Sequence, residues 1–183
     1  GPGGSGHFVK TVHNGIEYGI EQILSEAYDL MKRNSEMTGE QMADVLAYWN
    51  NSEELSSYLV EITETCLRTK DPSSGDDLVE KIMDKAGQKG TGLWTVISAL
   101  QLGSSVPTIY ASLNARVMSS MKDQRIKASS ILNTPSAIER FDLGNSQDGM
   151  APLMDAVVLS SIASYAQGME LLRLASEEYN YSL

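Results

Sequence analysis

Five residues near the start of the chain have the types and spacing to form one reactive face: Lys10, His13, Asn14, Glu17 and Tyr18. Their spacing is helical. At about 100° per residue a helix gathers all five into one arc of roughly 140°, so that a cation, an imidazole, an amide, a carboxylate and a phenol share one face. A mixed polar face of this kind is ordinarily just solvated. Two features argue for more. The face lacks the repeated Glu/Lys pairing of solvent-facing helices, and it carries His, Asn and Tyr where Lys, Glu and Gln would favour the helix more. Gly15 and Gly19 lie inside the same stretch, where each costs about 1 kcal/mol relative to Ala, and this predicts close approach of another backbone or a ligand. A metal site is the weaker reading. His13 and Glu17 lie one turn apart, but the chain offers only His7 and Cys66 as further soft ligands, so no metal is expected.

A rigid helix must hold that face, and the same stretch supplies the means. Val12, Ile16, Ile20, Ile23, Ala27 and Leu30 fall on a neighbouring arc, an apolar stripe to bury. The helix should fade around Asn34-Ser35. Thr38-Gly39-Glu40-Gln41 has the form of a capping box opening a second helix through Trp49. Ser52 is expected to cap a third, carrying Leu55, Leu59, Ile62 and Cys66, which ends before the turn Asp71-Pro72-Ser73-Ser74-Gly75. Leu78 to Met83 reads equally as helix or extended chain. Residues 90 to 115 carry no formal charge, yet their serines, Gln101, Asn114 and Pro107 break the run, so two buried helices are expected in place of a membrane span. Pro107 suits the first turn of the second, which should run past Arg116 to about Ile131. A breaker-rich loop, Asn133 to Gly149, leads to a last helix opened by Pro152, whose uncharged middle, Ala156 to Met169, is expected to be buried on most sides. No alternating strand run appears, and the expected fold class is all-α.

Composition narrows the partners. At 183 residues the chain fits one domain with a proper core. Its net charge of −10 argues against nucleic acid and anionic membrane. An anionic substrate would then need cations concentrated locally. The single cysteine, Cys66, permits no internal disulfide and is expected to be a small buried residue, and a cytoplasmic setting follows. The opening Gly1 to Gly6 satisfies G-x-G-x-x-G, but that pattern marks a dinucleotide site only within a βαβ unit, so residues 1–6 are expected to be a linker and 7–183 the helical domain.

Two cations, Lys89 and Arg116, are open to more than one reading. Lys89, in Gly87-Gln88-Lys89-Gly90-Thr91-Gly92, reads either as an exposed turn or as an anion contact ahead of a helix that Thr91 would cap. Arg116 sits in an otherwise neutral helix, where burial without an anionic partner would be costly.

The run Gly4-Ser5-Gly6-His7-Phe8-Val9-Lys10, continued by Val12-His13-Asn14-Gly15-Ile16-Glu17-Tyr18-Gly19, resembles the signature of 6-phosphogluconate dehydrogenases at the start of their large helical domain. Ala86 to Gly92 with Trp94-Thr95, Ala115-Arg116, and Ser164-Tyr165-Ala166-Gln167-Gly168 resemble the same family, in the expected order. The resemblance implies oxidation and decarboxylation of 6-phosphogluconate with NADP, yielding ribulose 5-phosphate in the pentose phosphate pathway. Lys10 would be the general base at the C3 hydroxyl and Glu17 the acid that protonates the enediol. His13 and Asn14 would hold sugar hydroxyls, while Tyr18, Lys89, Thr91 and Arg116 would hold the phosphate. A lysine base and a carboxyl acid need a cleft that disfavours their charged forms.

The family binds NADP chiefly through an N-terminal Rossmann domain and completes its site with a tail from the neighbouring subunit, neither of which this sequence shows. The chain is therefore expected to be a fragment of a homodimeric enzyme, without turnover by itself. Leu93 stands where a lysine is common, and Thr11, Ile20 and Glu21 depart from the usual flanks. Two alternatives stay open: the helical domain of another β-hydroxyacid dehydrogenase, which would not need Lys89, Thr91 and Arg116, and a non-catalytic dimerisation module built on the helices through Leu100 and Leu159.

Overall fold

A computed structural model describes residues 1–132 and 150–183. Its described residues form α1 (Ser5–Asn34), α2 (Gly39–Asn50), α3 (Tyr58–Arg68), α4 (Thr91–Gln101), α5 (Pro107–Ser120), α6 (Lys122–Ser129) and α7 (Ala151–Tyr179), with short 3-10 turns at Pro2–Gly4 and Leu78–Lys81. The only β pairing among them is an isolated bridge between Lys70 and Asp77. The fold is all-α, as expected. Of the stretch left open at Leu78 to Met83, Leu78–Lys81 is the second 3-10 turn and Ile82 is extended, and the loop expected between Asn133 and Gly149 lies outside the described residues.

The chain divides into two compact units. The first comprises Gly1–Gln22, Lys85–Leu132 and Ser160–Leu183. Its core joins Val12 and Ile16 of α1 to Val96 and Ala99 of α4, Val106, Ile109 and Leu113 at and within α5, and Leu171 of α7. The glycines of α1 make this packing fit. A Cβ on Gly15 would lie 2.6 Å from the Thr95 methyl group, and one on Gly19 would lie 2.8 Å from Ser164 Oγ. Close approach is therefore real, and the neighbours are side chains of α4 and α7. Thr95 is completely buried and its hydroxyl bonds the carbonyl of Thr11 at 2.8 Å, which ties α4 to α1. The Ser164 to Gly168 motif has a structural task of its own. Gln167 Oε1 accepts from the backbone N–H of Thr108 at 3.0 Å and from its hydroxyl at 2.7 Å, capping α5 from α7, and Ser164 donates to the same hydroxyl.

The second unit takes Ile23–Asp84 and the described part of 133–159. Thr38 and Gln41 form the expected capping box at the start of α2. Trp49 is fully buried, and Arg68 of α3 forks onto Glu40 and Asp44 of α2 while bonding Glu64 on its own helix. Tyr28 donates to Glu80 at 2.5 Å, Lys32 pairs with the same carboxylate, and Lys70 pairs with Asp77, which also accepts the Gly39 N–H at 3.1 Å.

Four expectations change. The cap of α3 is Ser57, not Ser52; the Ser52 hydroxyl instead accepts from Leu55 N–H at 3.1 Å and closes a turn, while Asn50 Oδ1 accepts the Ser57 N–H. The helix expected to reach Ile131 breaks at Met121, where the Arg125 guanidinium donates to the carbonyls of Met118 and Ser119, oxygens that a continuous helix would pair with Lys122 and Asp123. Cys66 is exposed, because α3 turns Val60 and Leu67 inward instead. The middle of α7 is not buried on most sides: Val157, Ser164 and Gly168 are covered, but Leu159, Ile162, Tyr165 and Met169 are each more than half exposed.

Candidate active site

All the sequence-predicted site residues belong to the first unit. Lys10, His13, Asn14, Glu17 and Tyr18 do share one face of α1, and three of them approach a single atom of a fourth. His13 Nδ1 lies 3.2 Å from Lys10 Nζ, 3.2 Å from Asn14 Oδ1 and 3.8 Å from Glu17 Oε2. That nitrogen has either a lone pair or a proton to offer. Unprotonated, it accepts from the Lys10 ammonium; protonated, it donates to Asn14 or pairs with Glu17. One nitrogen is thus shared among three neighbouring side chains. Lys10 is exposed, and the His13 and Glu17 side chains are 57% and 38% exposed. The described residues of this chain therefore leave the face open, and the closed cleft that the resemblance implies needs further cover.

One helical position beyond Glu17, Tyr18 meets a cation from another helix. The Arg116 guanidinium of α5 lies 4.5 Å from the centre of the Tyr18 ring, a cation–π stack. It donates to the Gly87 carbonyl at 3.3 Å and pairs with Glu21 on α1. Its side chain is 27% exposed, so the partner expected from burial is present, and it is Glu21. Gly92, at the second position of α4, is buried against the Tyr18 ring; a Cβ there would come within 2.8 Å of it. Lys89 and Thr91 therefore lie on a segment fixed at Gly87 by Arg116 and at Gly92 by Tyr18. Lys89 is exposed and Thr91 half-buried.

Thr91 does not cap α4. The cap is Gly90, in the left-handed region at φ +100°, without a side-chain bond, and Thr91 is the first helical residue. A β-branched residue would be strained at that φ, which is why the glycine takes the place. The first amide groups of α4 are consequently left without a side-chain cap, beside Lys89.

Two residues of this site escaped sequence reasoning in their roles. Glu21 lies on the reactive arc of α1, three residues after Tyr18, and that spacing was the available signal. Thr95 was noticed as part of a motif, but only the structure shows its hydroxyl bridging Thr11 and Thr91 carbonyls, at 2.8 and 2.9 Å. Among the described residues no group of three or more His, Cys, Asp or Glu side chains is placed to hold a metal. Nor does Gly1 to Gly6 form a dinucleotide cradle: it is a 3-10 turn running directly into the first turn of α1.

Comparison with known proteins gives a family for the chain. Residues 6–183 match the family described as 6-phosphogluconate dehydrogenase, C-terminal domain. The chain is 49% identical over its whole length to a decarboxylating 6-phosphogluconate dehydrogenase of Synechocystis sp. and 46% identical to the NADP(+)-dependent enzyme of Bacillus subtilis. It spans 37% and 38% of those two relatives, so each is much longer than the chain. The 6-phosphogluconate dehydrogenase of Plasmodium falciparum, solved in its apo form, in complex with its cofactor NADP+ and in complex with its substrate 6-phosphogluconate, superposes with a TM-score of 0.91 at 42% identity, over all of this chain and 39% of that one. With the family match covering nearly every residue and the whole fold superposing, the chain belongs to the 6-phosphogluconate dehydrogenase C-terminal domain family.

Proposed function

We propose that this chain is the substrate-holding part of a decarboxylating 6-phosphogluconate dehydrogenase. The observation that carries the reading is the division of one helix face into two adjoining sites: a proton-transfer cluster around His13 and an anion site at Arg116. Tyr18, Lys89, Thr91 and Arg116 take the phosphate, for which a lysine point charge, an arginine fork and hydroxyl donors are well matched. His13 and Asn14 hold hydroxyls of the sugar acid. Lys10 accepts the proton of the C3 hydroxyl as that carbon is oxidised. The β-keto acid so formed loses carbon dioxide, and Glu17 protonates the resulting enediol to give ribulose 5-phosphate. His13, hydrogen-bonded to Lys10 and within 3.8 Å of Glu17, lies between the two.

NADP, the cofactor we assign to the whole enzyme, supplies the hydride acceptor. The described residues do not fit it, since the glycine run enters a helix and not a strand–turn–helix cradle. The chain alone is thus expected to bind sugar acid without turnover, and measurable NADP reduction by it would overturn that expectation. We further propose a cytoplasmic homodimer. Trp94, Ile97 and Leu100 along α4, and Ile162, Tyr165 and Met169 along α7, form exposed apolar rows suited to an obligate interface. No described helix is long and apolar enough to cross a membrane.

The reaction assignment is tested in the whole enzyme carrying this segment. Lys10→Met should lower kcat by about 10²- to 10⁴-fold, the usual contribution of a general base, with substrate affinity retained. Unchanged turnover would contradict the role of Lys10. The alternative of an unphosphorylated β-hydroxyacid substrate is disfavoured by the Arg116–Tyr18 stack, an anion site that such a substrate would leave idle.

A further inference from the structure

Arg116 already holds an anion. Its terminal nitrogen pairs with Glu21 Oε2, its other terminal nitrogen donates to Gly87 O at 3.3 Å, and its plane lies over Tyr18. Glu21 projects from α1 at roughly 20° from Lys10 on the wheel, near the middle of the reactive arc, so it faces the same ligand as the catalytic cluster. We infer that Glu21 is a specificity-determining residue of the anion site: its carboxylate occupies the place on Arg116 that a phosphate monoester takes, and must be displaced when substrate binds. The inference rests on the reading that Arg116 receives the substrate phosphate.

Three observations support displacement over coexistence. Arg116 is held from two directions, by the Tyr18 ring and the Gly87 carbonyl, and is the less exposed partner at 27%. The Glu21 side chain is 37% exposed, so it has solvent to swing into. A guanidinium edge holds one bidentate anion at a time, and a carboxylate left beside a phosphate dianion would repel it.

The exchange also sorts ligands. A monoanionic carboxylate offers Arg116 no more charge than Glu21 does, and Glu21 is already tethered in place. A phosphate dianion offers more charge and three acceptor oxygens, so only that exchange is favourable. Glu21 therefore weakens anion binding in general and reserves the site for phosphate esters.

The test uses this chain in calorimetric titrations with 6-phosphogluconate and with gluconate as the unphosphorylated control. Glu21→Gln keeps a hydrogen-bond acceptor for Arg116 and removes the charge. It should tighten 6-phosphogluconate about ten-fold and gluconate by at least as much, so that the preference for the phosphate ester narrows. Glu21→Asp, which keeps the charge on a shorter stem, should fall between, and it guards against a Gln variant that misfolds. If Glu21→Gln weakens or does not change 6-phosphogluconate binding while Arg116→Ala abolishes the preference over gluconate, the anion site stands and the competitor role of Glu21 is wrong. If Arg116→Ala leaves the preference intact, the phosphate assignment itself fails and the inference falls with it.

Discussion

At the scale of residues, the site is governed by which groups share a partner. His13 Nδ1 is approached by an amine, an amide oxygen and a carboxylate, and can satisfy only one at a time, so it is the common link between Lys10 and Glu17. Replacing His13 by Asn would remove the link while keeping polarity; in the whole enzyme we expect kcat to fall by about 10-fold or more with its pH profile reshaped, whereas a residue that merely held a sugar hydroxyl would move KM alone. Gly15 makes a different claim. A Cβ there would lie 2.6 to 2.9 Å from three atoms of Thr95, a buried β-branched residue held by two hydrogen bonds and unable to yield. Overpacking costs about 1–3 kcal/mol, against about 1 kcal/mol gained in helix propensity, so Gly15→Ala should destabilise by up to about 2 kcal/mol in chemical unfolding. A stabilised Gly15→Ala variant would mean that α1 and α4 are not packed as described.

At the scale of elements, helix ends depend on side chains from elsewhere. Gln167 of α7 caps the first turn of α5 through Thr108, so Gln167→Leu should cost about 1–2 kcal/mol by thermal melting, the usual worth of a lost cap with a stranded donor; an unchanged melting temperature would deny the cap any weight. This dependence explains what was readable beforehand. The shared face of Lys10, His13, Asn14 and Glu17 on α1, the capping box at Thr38, the Pro107 start of α5 and the all-α class all follow from local periodicity or local chemistry, and were legible. The end of α5 at Ser120 was not, because it depends on Arg125 reaching back to two carbonyls. Nor was the cap of α3, where Ser52 and Ser57 are equally good by type and Asn50 supports the second. Glu21 was visible as an unusual neighbour of the motif, but its tie to Arg116 spans most of the first unit and needs the fold. In the second unit, ion pairs fix the turn after α3. The Lys70 bond holds the Asp77 carboxyl below its ordinary range, and the Lys32 and Tyr28 bonds do the same for Glu80. Groups lowered on folding stabilise the folded state above the unfolded-chain pKa of about 4 and lose that contribution as pH falls through their lower folded values. Unfolding midpoints should therefore drop below about pH 4, and Asp77→Asn should flatten that drop. An equally steep acid loss in the variant would exclude Asp77 as a source.

At the scale of the whole molecule, a chain of net charge −10 is proposed to bind a polyanion. The account requires that cations be concentrated at one place, and the Arg116 stack beside the Lys89 segment is that place. It also requires an uncovered apolar surface to find a partner: Trp94, Leu100, Ile162 and Tyr165 are each more than half exposed. Sedimentation of the chain should show a dimer, and Leu100→Glu with Ile162→Glu should return it to monomer; a monomeric wild-type chain would remove the interface from these rows. The central claim is that the helices by themselves carry a phosphate-selective sugar-acid site. Calorimetric titration of the chain with 6-phosphogluconate against gluconate tests it most directly. The account predicts binding of the phosphorylated acid in clear preference to gluconate, with that preference lost in both Arg116→Ala and Lys89→Ala. Equal affinity for the two acids in a folded sample would contradict it.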